Sequence, residues 1–212
     1  MALHFAVAGA TGRTGRAFVA AALAAGHRVT AFVRDRAKAA GLGDSVALHE
    51  LDLLDAAAVA RALAAEHVIV STLGGGGPQS PGHAISAGTA NLVAAARACG
   101  ASRMLAVVGA GVLQADASTL RSELPQYPPF LRGITAEHHA AYRALADSAL
   151  DWTLVCVPDL RDGPASGSTI AQVDYMPAGR GAITTGDVAA FLVREAEAPQ
   201  FHRTRVGLDT RS

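Results

Sequence analysis

Residues His4–Ala8 form a short apolar run that leads into Gly9-Ala10-Thr11-Gly12-Arg13-Thr14-Gly15, three glycines spaced three apart at the opening of an alanine-rich stretch. No other feature constrains the chain as strongly. Glycine permits a tight turn, lets the backbone approach a ligand with no intervening Cβ, and lets a helix pack closely on a strand. A helix beginning inside the turn also offers free N–H groups to an anion. The alternative, a glycine-rich turn without a ligand, loses force because a second β-type run, Arg28–Val33, completes the strand–turn–helix–strand unit in which such a motif holds a dinucleotide pyrophosphate. Gly9, Thr11, Gly12, Arg13, Thr14 and Gly15 are therefore candidate cofactor residues.

The same rhythm continues along the chain. Strand candidates are His4–Ala8, Arg28–Val33, Val46–Leu51, His67–Thr72, Arg103–Val108 and Trp152–Val157. Helices are expected near Thr14–Ala25, Asp55–Ala65, Ala84–Cys99 and Thr135–Ala149, with Gly26 and Gly100 as C-terminal stops. Five crossovers in one direction make an α/β fold with a doubly wound parallel sheet. Gly109–Gly133, with Pro125, Pro128 and Pro129, is too long for an ordinary connection and reads as a loop or short helix over a ligand cleft. After Pro158 the chain is Gly- and Pro-rich and irregular until a helix over Asp187–Ala196, with Thr185 as its expected cap. This tail is too short for a second domain, and Gly74–Gly77 is the one low-complexity run.

Composition narrows the function. Lys+Arg and Asp+Glu are 18 each and the pI is near 7.1, so no global basic field points to nucleic acid or an anionic membrane. With 212 residues, about 70% of the unfolded chain's surface can be buried in one core. No uncharged apolar stretch is long enough to span a membrane. The N-terminal MALHFAVAG lacks a charged leader region, and Cys99 and Cys156 lie in apolar runs, so buried thiols in the cytoplasm are expected.

Several residues beyond the glycine loop suit a dinucleotide. Where an NAD site would place an acid to bind the ribose, the second strand is followed by Arg34, then Asp35 and Arg36. A guanidinium can clamp a 2′-phosphate bidentately, which favours NADPH; a solvated loop arginine, or Asp35 swinging to the ribose of NAD, are the alternatives. Asp52 can accept from the adenine amino group while Leu53 covers the ring, or Asp52 can cap a helix; Asp55 reads as the cap. Leu73 and Gly74 read as a floor for the ribose and nicotinamide. In the cleft, His138 and Tyr142, the candidate catalytic residues, lie four apart on one helix face and could jointly contact a substrate, with Arg132 and Asp159 near; a packing role is the first reading of either. No Cys or second His stands at a zinc-like interval apart from the adjacent His138-His139, so no metal is expected.

With these residues in place, the chain resembles the atypical short-chain dehydrogenase/reductases, in particular the small NAD(P)H-binding group that includes biliverdin reductase B (flavin reductase) and the NmrA-like proteins. The resemblance rests on Gly9–Gly15, on Gly26-His27-Arg28-Val29 through Val33-Arg34-Asp35, and on Asp52-Leu53. It continues through Thr135–Leu150, Val157-Pro158 and Gly179-Arg180-Gly181 to Asp187-Val188-Ala189. It implies a Rossmann-type single domain over 1–212, with a substrate cleft from about 109–134 and 158–186. It also implies NADPH as cofactor with NAD possible, Pro158 among the cofactor residues, and reduction of flavins, quinone-like dyes or linear tetrapyrroles.

The departures are equally informative. Standard short-chain dehydrogenases use a Ser with Tyr-x-x-x-Lys, in which lysine lowers the tyrosine pKa. Here Tyr127, Tyr142 and Tyr175 are followed four residues on by Leu131, Ala146 and Gly179, and Lys38 is the only lysine. Val108-Gly109-Ala110-Gly111 carries no hydroxyl where biliverdin reductase B has a serine, and Val157-Pro158-Asp159 lacks its histidine. The leading expectation is an NADPH-dependent reductase acting on a small conjugated acceptor, as a monomer or small homo-oligomer. The alternative is a non-catalytic NADP(H)-sensing module of NmrA type; a sugar-nucleotide epimerase or dehydratase fits less well, because the Tyr–Lys pair is missing.

Overall fold

The computed structural model describes residues 1–74 and 82–212; of the Gly74–Gly77 run, only Gly74 lies among the described residues. In chain order the elements are β1 (His4–Ala8), α1 (Arg13–Ala24), β2 (Arg28–Val33), β3 (Ala47–Glu50), α2 (Ala56–Ala62), β4 (His67–Ser71), α3 (Ala84–Cys99), β5 (Arg103–Gly109), α4 (Arg132–Ala146) and β6 (Asp151–Val157). They are followed by β7 (Asp159–Arg161), β8 (Thr169–Val173), β9 (Ala182–Thr184), α5 (Thr185–Glu197) and β10 (Thr204–Thr210). The main sheet runs β3-β2-β1-β4-β5-β6-β10-β8, parallel except for β8, which is antiparallel to β10. Strand order reverses between β1 and β4, so the crevice at their carboxyl ends is where a doubly wound sheet receives a ligand.

The alternation of β1 divides the core. Phe5 and Val7 face α1 and α5, packing on Phe18, Val188 and Leu192. Ala6 and Ala8 face the other layer, where α3 and α4 bring Leu92 and Leu145 against Ile69 and Trp152. Small residues on that side let the helices approach closely. Gly26 and Gly100 stop α1 and α3 with positive φ, and the Gly100 N–H bonds to Ala96 O at 2.9 Å. At the amino end of the sheet, buried Arg103 pairs with Glu195 at 2.6 Å and with Asp151 at 2.9 Å, tying β5, β6 and α5 together.

Three expectations need correction. The tail is not irregular: β10 joins β6 and β8 completes the sheet edge, while β7 and β9 form a separate parallel pair. Their signals are weak because Gly207 interrupts β10 and β8 is largely exposed, so neither shows a clean apolar alternation. The cap of α5 is Thr184, not Thr185: its hydroxyl accepts from the Asp187 N–H at 3.0 Å, and the Asp187 carboxylate accepts from that hydroxyl at 2.9 Å. Finally, α4 begins at Arg132 and ends at Ala146, where the Ser148 hydroxyl bonds Leu145 O. The preceding segment holds three short 3₁₀ turns, Ala110–Val112, Arg121–Glu123 and Pro129–Leu131.

Candidate cofactor and substrate site

The three loop glycines do different work. Gly9 has φ +82°, and a Cβ there would lie 2.6 Å from Thr72 O on the neighbouring strand end. A Cβ on Gly15 would collide with the Gly9 carbonyl. Both glycines are demanded by the fold. Gly12 differs, since its φ is −77° and its Cβ would meet nothing nearer than Gly9 O at 3.3 Å. That contact is tight without being a collision, so Gly12 is less constrained by the fold than Gly9 or Gly15. Gly12 is the N-cap of α1 without a side-chain cap, and the first-turn N–H groups of Arg13, Thr14 and Gly15 bond to none of the described residues.

Arg16 fixes this loop to its neighbour. Its guanidinium donates to Thr11 O at 3.1 Å, Ala40 O at 2.9 Å and Lys38 O at 2.6 Å, joining the glycine loop to the turn after β2.

A cavity of about 240 Å³ opens beside that loop at the carboxyl ends of β1, β2, β3 and β4. Gly9, Thr11, Gly12, Arg34, Asp52, Leu53, Leu73 and Gly74 all line it. Thr14 and Gly15 are instead buried at the start of α1, and Arg13 and Pro158 line an adjoining cleft. Of the charged residues after β2, Asp35 accepts from Ala37 N at 2.9 Å and Arg36 pairs with Glu50 at 3.3 Å. Arg34 is exposed, borders the cavity, and has no polar partner among the described residues. Asp55 caps α2 through Ala57 N and Ala58 N, both at 3.0 Å. Asp52 does not cap that helix; it accepts from Leu54 N at 3.0 Å in a turn at the cavity wall. Free N–H groups at the start of α1, beside a glycine on the cavity wall, suit the pyrophosphate of a dinucleotide.

The second cleft measures about 1090 Å³ and lies between the 109–134 segment and the stretch after β6. Its walls are mainly apolar, with Leu124, Phe130, Ile134, Val157, Leu160 and Met176 among them, and Phe130 is 59% exposed. Its polar groups are Arg13, Arg121, Gln126, Tyr127, Thr135, His138, Asp159 and Asp209. Arg13 is held by Asp162 at 3.1 Å, and Asp159 accepts from Arg161 at 2.8 Å. Tyr127 and Thr135 bond hydroxyl to hydroxyl at 2.6 Å. Buried Asp209 accepts from Thr210 N and Gly181 N.

His138 is positioned through its ring. Nδ1 accepts from the Gly109 N–H at 3.3 Å, at the carboxyl end of β5. Burial, and then the like charge of His139, push its pKa down to about 4 against the weaker opposing pull of Glu137. The imidazole is neutral at physiological pH.

Tyr142 does not line the cleft, although one turn separates it from His138. It stands edge-on to Trp152 with centroids 6.0 Å apart, and the Arg205 guanidinium covers its ring at 4.9 Å. Helical spacing keeps the two on one face, but four residues also carry Tyr142 about 6 Å along the α4 axis, past the cleft and onto Trp152. Arg132 is exposed and outside the lining. Sequence reasoning missed Tyr127, Thr135, Arg121 and Asp209; the one available signal was a lone tyrosine fixed between Pro125 and Pro128-Pro129.

The fold also gathers His4, Glu66 and His67, which no sequence spacing reveals. Their ligand atoms lie within 4.8 Å of one another. His67 Nδ1 accepts from Ala64 N at 3.0 Å, so its proton sits on Nε2, the nitrogen a metal would need bare. The group is a histidine pair beside an acid.

The profile of the NAD(P)H-binding family matches residues 9–199. The chain belongs to that family. Among solved structures, a protein of Burkholderia pseudomallei provisionally described as exported is 29% identical, with a TM-score of 0.84 over 98% of this chain and 99% of that one. ChuY, an anaerobilin reductase from Escherichia coli O157:H7, is 25% identical, with a TM-score of 0.79 over 98% and 97%. A protein of Streptococcus pneumoniae provisionally described as a NADH-flavin reductase shares the fold, with a TM-score of 0.80 at 23% identity over 99% and 100%. A nicotinamide cofactor is thus the ligand class of the family, on an atypical short-chain dehydrogenase/reductase frame. Among the described residues no helix is long and apolar enough to cross a membrane.

Proposed function

We propose that this protein is an NADPH-dependent reductase that delivers hydride to a small conjugated acceptor of flavin, quinone or tetrapyrrole type. The observation that carries the reading is the juxtaposition, at the carboxyl ends of the strands, of the cavity beside the glycine loop and a large, mainly apolar cleft, with Arg13 following Gly12 into the second. The whole chain acts as one unit: Gly9, Thr11, Gly12, Arg34, Asp52, Leu53, Leu73 and Gly74 hold the cofactor, and Arg13 and Pro158 meet its nicotinamide half. The segments 109–134 and 158–186 receive the acceptor.

Arg34 supports NADPH over NADH, because it is the cation at the cavity that pairs with none of the described residues. The bound cofactor supplies a hydride; the chain supplies orientation and a dry apolar wall. No Tyr-x-x-x-Lys pair is present, so an acceptor that spreads charge over its own π-system suits the site better than an isolated ketone. Both thiols are unpaired and Cys156 is buried, which suits a reducing compartment such as the cytoplasm. The name of ChuY, an anaerobilin reductase, is in keeping with this acceptor class.

The missing Tyr–Lys pair equally suits a sensor that binds NADP(H) without turnover. One assay separates the two: purified protein with NADPH and a panel of flavins, quinones and dyes, read at the nicotinamide absorbance. Oxidation is expected. Tight binding with no oxidation by any acceptor would establish the sensor instead.

A further inference from the structure

In the cleft, the hydrogen bonding of the His138 ring is half complete. His138 Nδ1 is occupied by the Gly109 N–H. A nitrogen that accepts carries no proton, so in the neutral ring the proton sits on Nε2. Nε2 bonds to none of the described residues, yet it is not among the polar atoms sealed from solvent without a partner. Because His138 lines the cleft, that N–H is a donor offered to whatever enters. Tyr127 and Thr135 share one hydrogen bond, in which one hydroxyl donates and the other keeps its O–H.

We infer that His138 Nε2–H is the hydrogen-bond donor that polarises a carbonyl-type oxygen of the acceptor during reduction. This rests on the reductase reading and names the group that answers the lack of a proton donor. The acceptor gains a hydride from the cofactor, its electron pair is displaced onto the oxygen, and a proton from water completes the reduction. The Nε2–H bond of His138 is not broken at any point. A neutral imidazole is a weak acid, so it stabilises the developing charge by a fixed hydrogen bond and does not transfer the proton.

Geometry supports the role. Gly109 ends β5, and its missing side chain matters, since a Cβ there would lie 3.2 Å from the His138 ring. The ring is thereby seated against the strand end and held in one tautomer by the strand's own backbone. Burial, then His139, keep it neutral against the opposing pull of Glu137, while Arg13, Arg121, Asp159 and Asp209 are the charged groups on the cleft walls.

The test uses the full-length protein and two readouts. In the first, ¹⁵N–¹H spectra of the histidine ring are recorded between pH 5.5 and 8, with and without 1,4-naphthoquinone. Nδ1 is expected bare and Nε2 protonated throughout, with the Nε2–H resonance moving when the quinone binds. A proton on Nδ1, or an Nε2–H resonance indifferent to bound quinone, overturns the inference even if the enzyme turns over. In the second, His138→Leu is expected to lower kcat about 10²-fold, the usual cost of one preorganised donor, with little change in NADPH affinity. His138→Gln, which keeps an acceptor for Gly109 and a donor for the cleft, should recover to within about tenfold of the wild type. A His138→Leu protein with wild-type kcat would pass the role to Arg121. Two variants equally impaired and both weak for NADPH would mark a packing residue. If the wild type oxidises no NADPH with any acceptor, the reductase reading fails, and the spectra still decide whether His138 offers its N–H to a quinone.

Discussion

Around the first cavity the molecule presents backbone: the Gly9 turn, the bare N–H groups of α1 and the small strand end at Leu73-Gly74, with Arg34 as the one uncommitted charge. Around the second it presents side chains, Tyr127, Phe130, His138 and Met176, drawn from three separate stretches of chain and braced by local hydrogen bonds. Backbone geometry of this kind tolerates almost no substitution, whereas a wall of side chains can be exchanged piece by piece while the fold stands. Under the proposed function, the backbone-lined cavity takes the cofactor, and the side-chain cleft is where the acceptor is chosen.

The strongest way to break that division is at the glycines. Gly12→Val should lower affinity for both NADPH and NADH by at least about 100-fold, since the added methyl groups fill the space reserved for phosphate, while leaving thermal stability nearly intact. Gly15→Val, three residues on, should instead cost about 3 kcal/mol in urea unfolding, because its side chain must displace the Gly9 carbonyl. Equal behaviour of the two variants would dissolve the distinction between a ligand-facing and a fold-facing glycine.

Arg34→Ala comes next, with an expected loss of about 1.5–3 kcal/mol toward NADPH and none toward NADH, the size of a charge-assisted contact. Paired titrations of the two cofactors read this directly; an equal loss for both would move Arg34 away from the 2′-phosphate.

Outside the lining of both cavities, buried Asp187 ties the chain at Ser166 to the start of α5, accepting from Ser166 N at 2.7 Å and from the Thr184 hydroxyl. Burial opposes its charge, but the bonds from Thr184 and Ser166 outweigh that and hold its pKa below the ordinary carboxylate value. A depressed folded pKa stabilises the native state above the unfolded value near 4, and that stabilisation disappears as pH falls through the lower folded value. Asp187→Asn should thus cost about 1–2 kcal/mol at pH 7, with the gap to wild type closing in acid. A gap independent of pH would show that shape, not charge, does the bracing.

The smallest effects belong to single walls. Phe130→Ala should raise KM for the acceptor by about fivefold, roughly 1 kcal/mol of apolar contact, without altering cofactor affinity. Tyr142→Phe should change kcat by less than about tenfold, because its ring packs on Trp152 and Arg205 and it lies outside the cleft lining.

The same division governs what can be read from sequence. The glycine loop, β1, β2 and Arg34 are contiguous, so local spacing reveals them, and the first six strands follow from short apolar runs. Strand β10 was hidden by Gly207 and its polar neighbours, although Gly207 is there so that the Tyr175 backbone can approach. The cleft was hidden for a different reason. Tyr127 and Asp209 lie far apart in the chain and line one cleft only through the sheet order, and the contrasting fates of His138 and Tyr142 depend on where each stands along the length of α4 against β5. His4 and His67, brought together by the pairing of β1 with β4, escaped spacing arguments in the same way.

The central claim is that hydride passes from NADPH bound at the glycine loop to a conjugated acceptor in the side-chain cleft. Its most direct measurement is the rate of NADPH oxidation with 1,4-naphthoquinone or flavin mononucleotide, compared with a simple ketone, using cofactor carrying hydrogen or deuterium at the transferred position. The expected result is oxidation with the conjugated acceptors, slowed by deuterium, and none with the ketone. Robust ketone reduction, or tight NADPH binding with no oxidation by either conjugated acceptor, would contradict it.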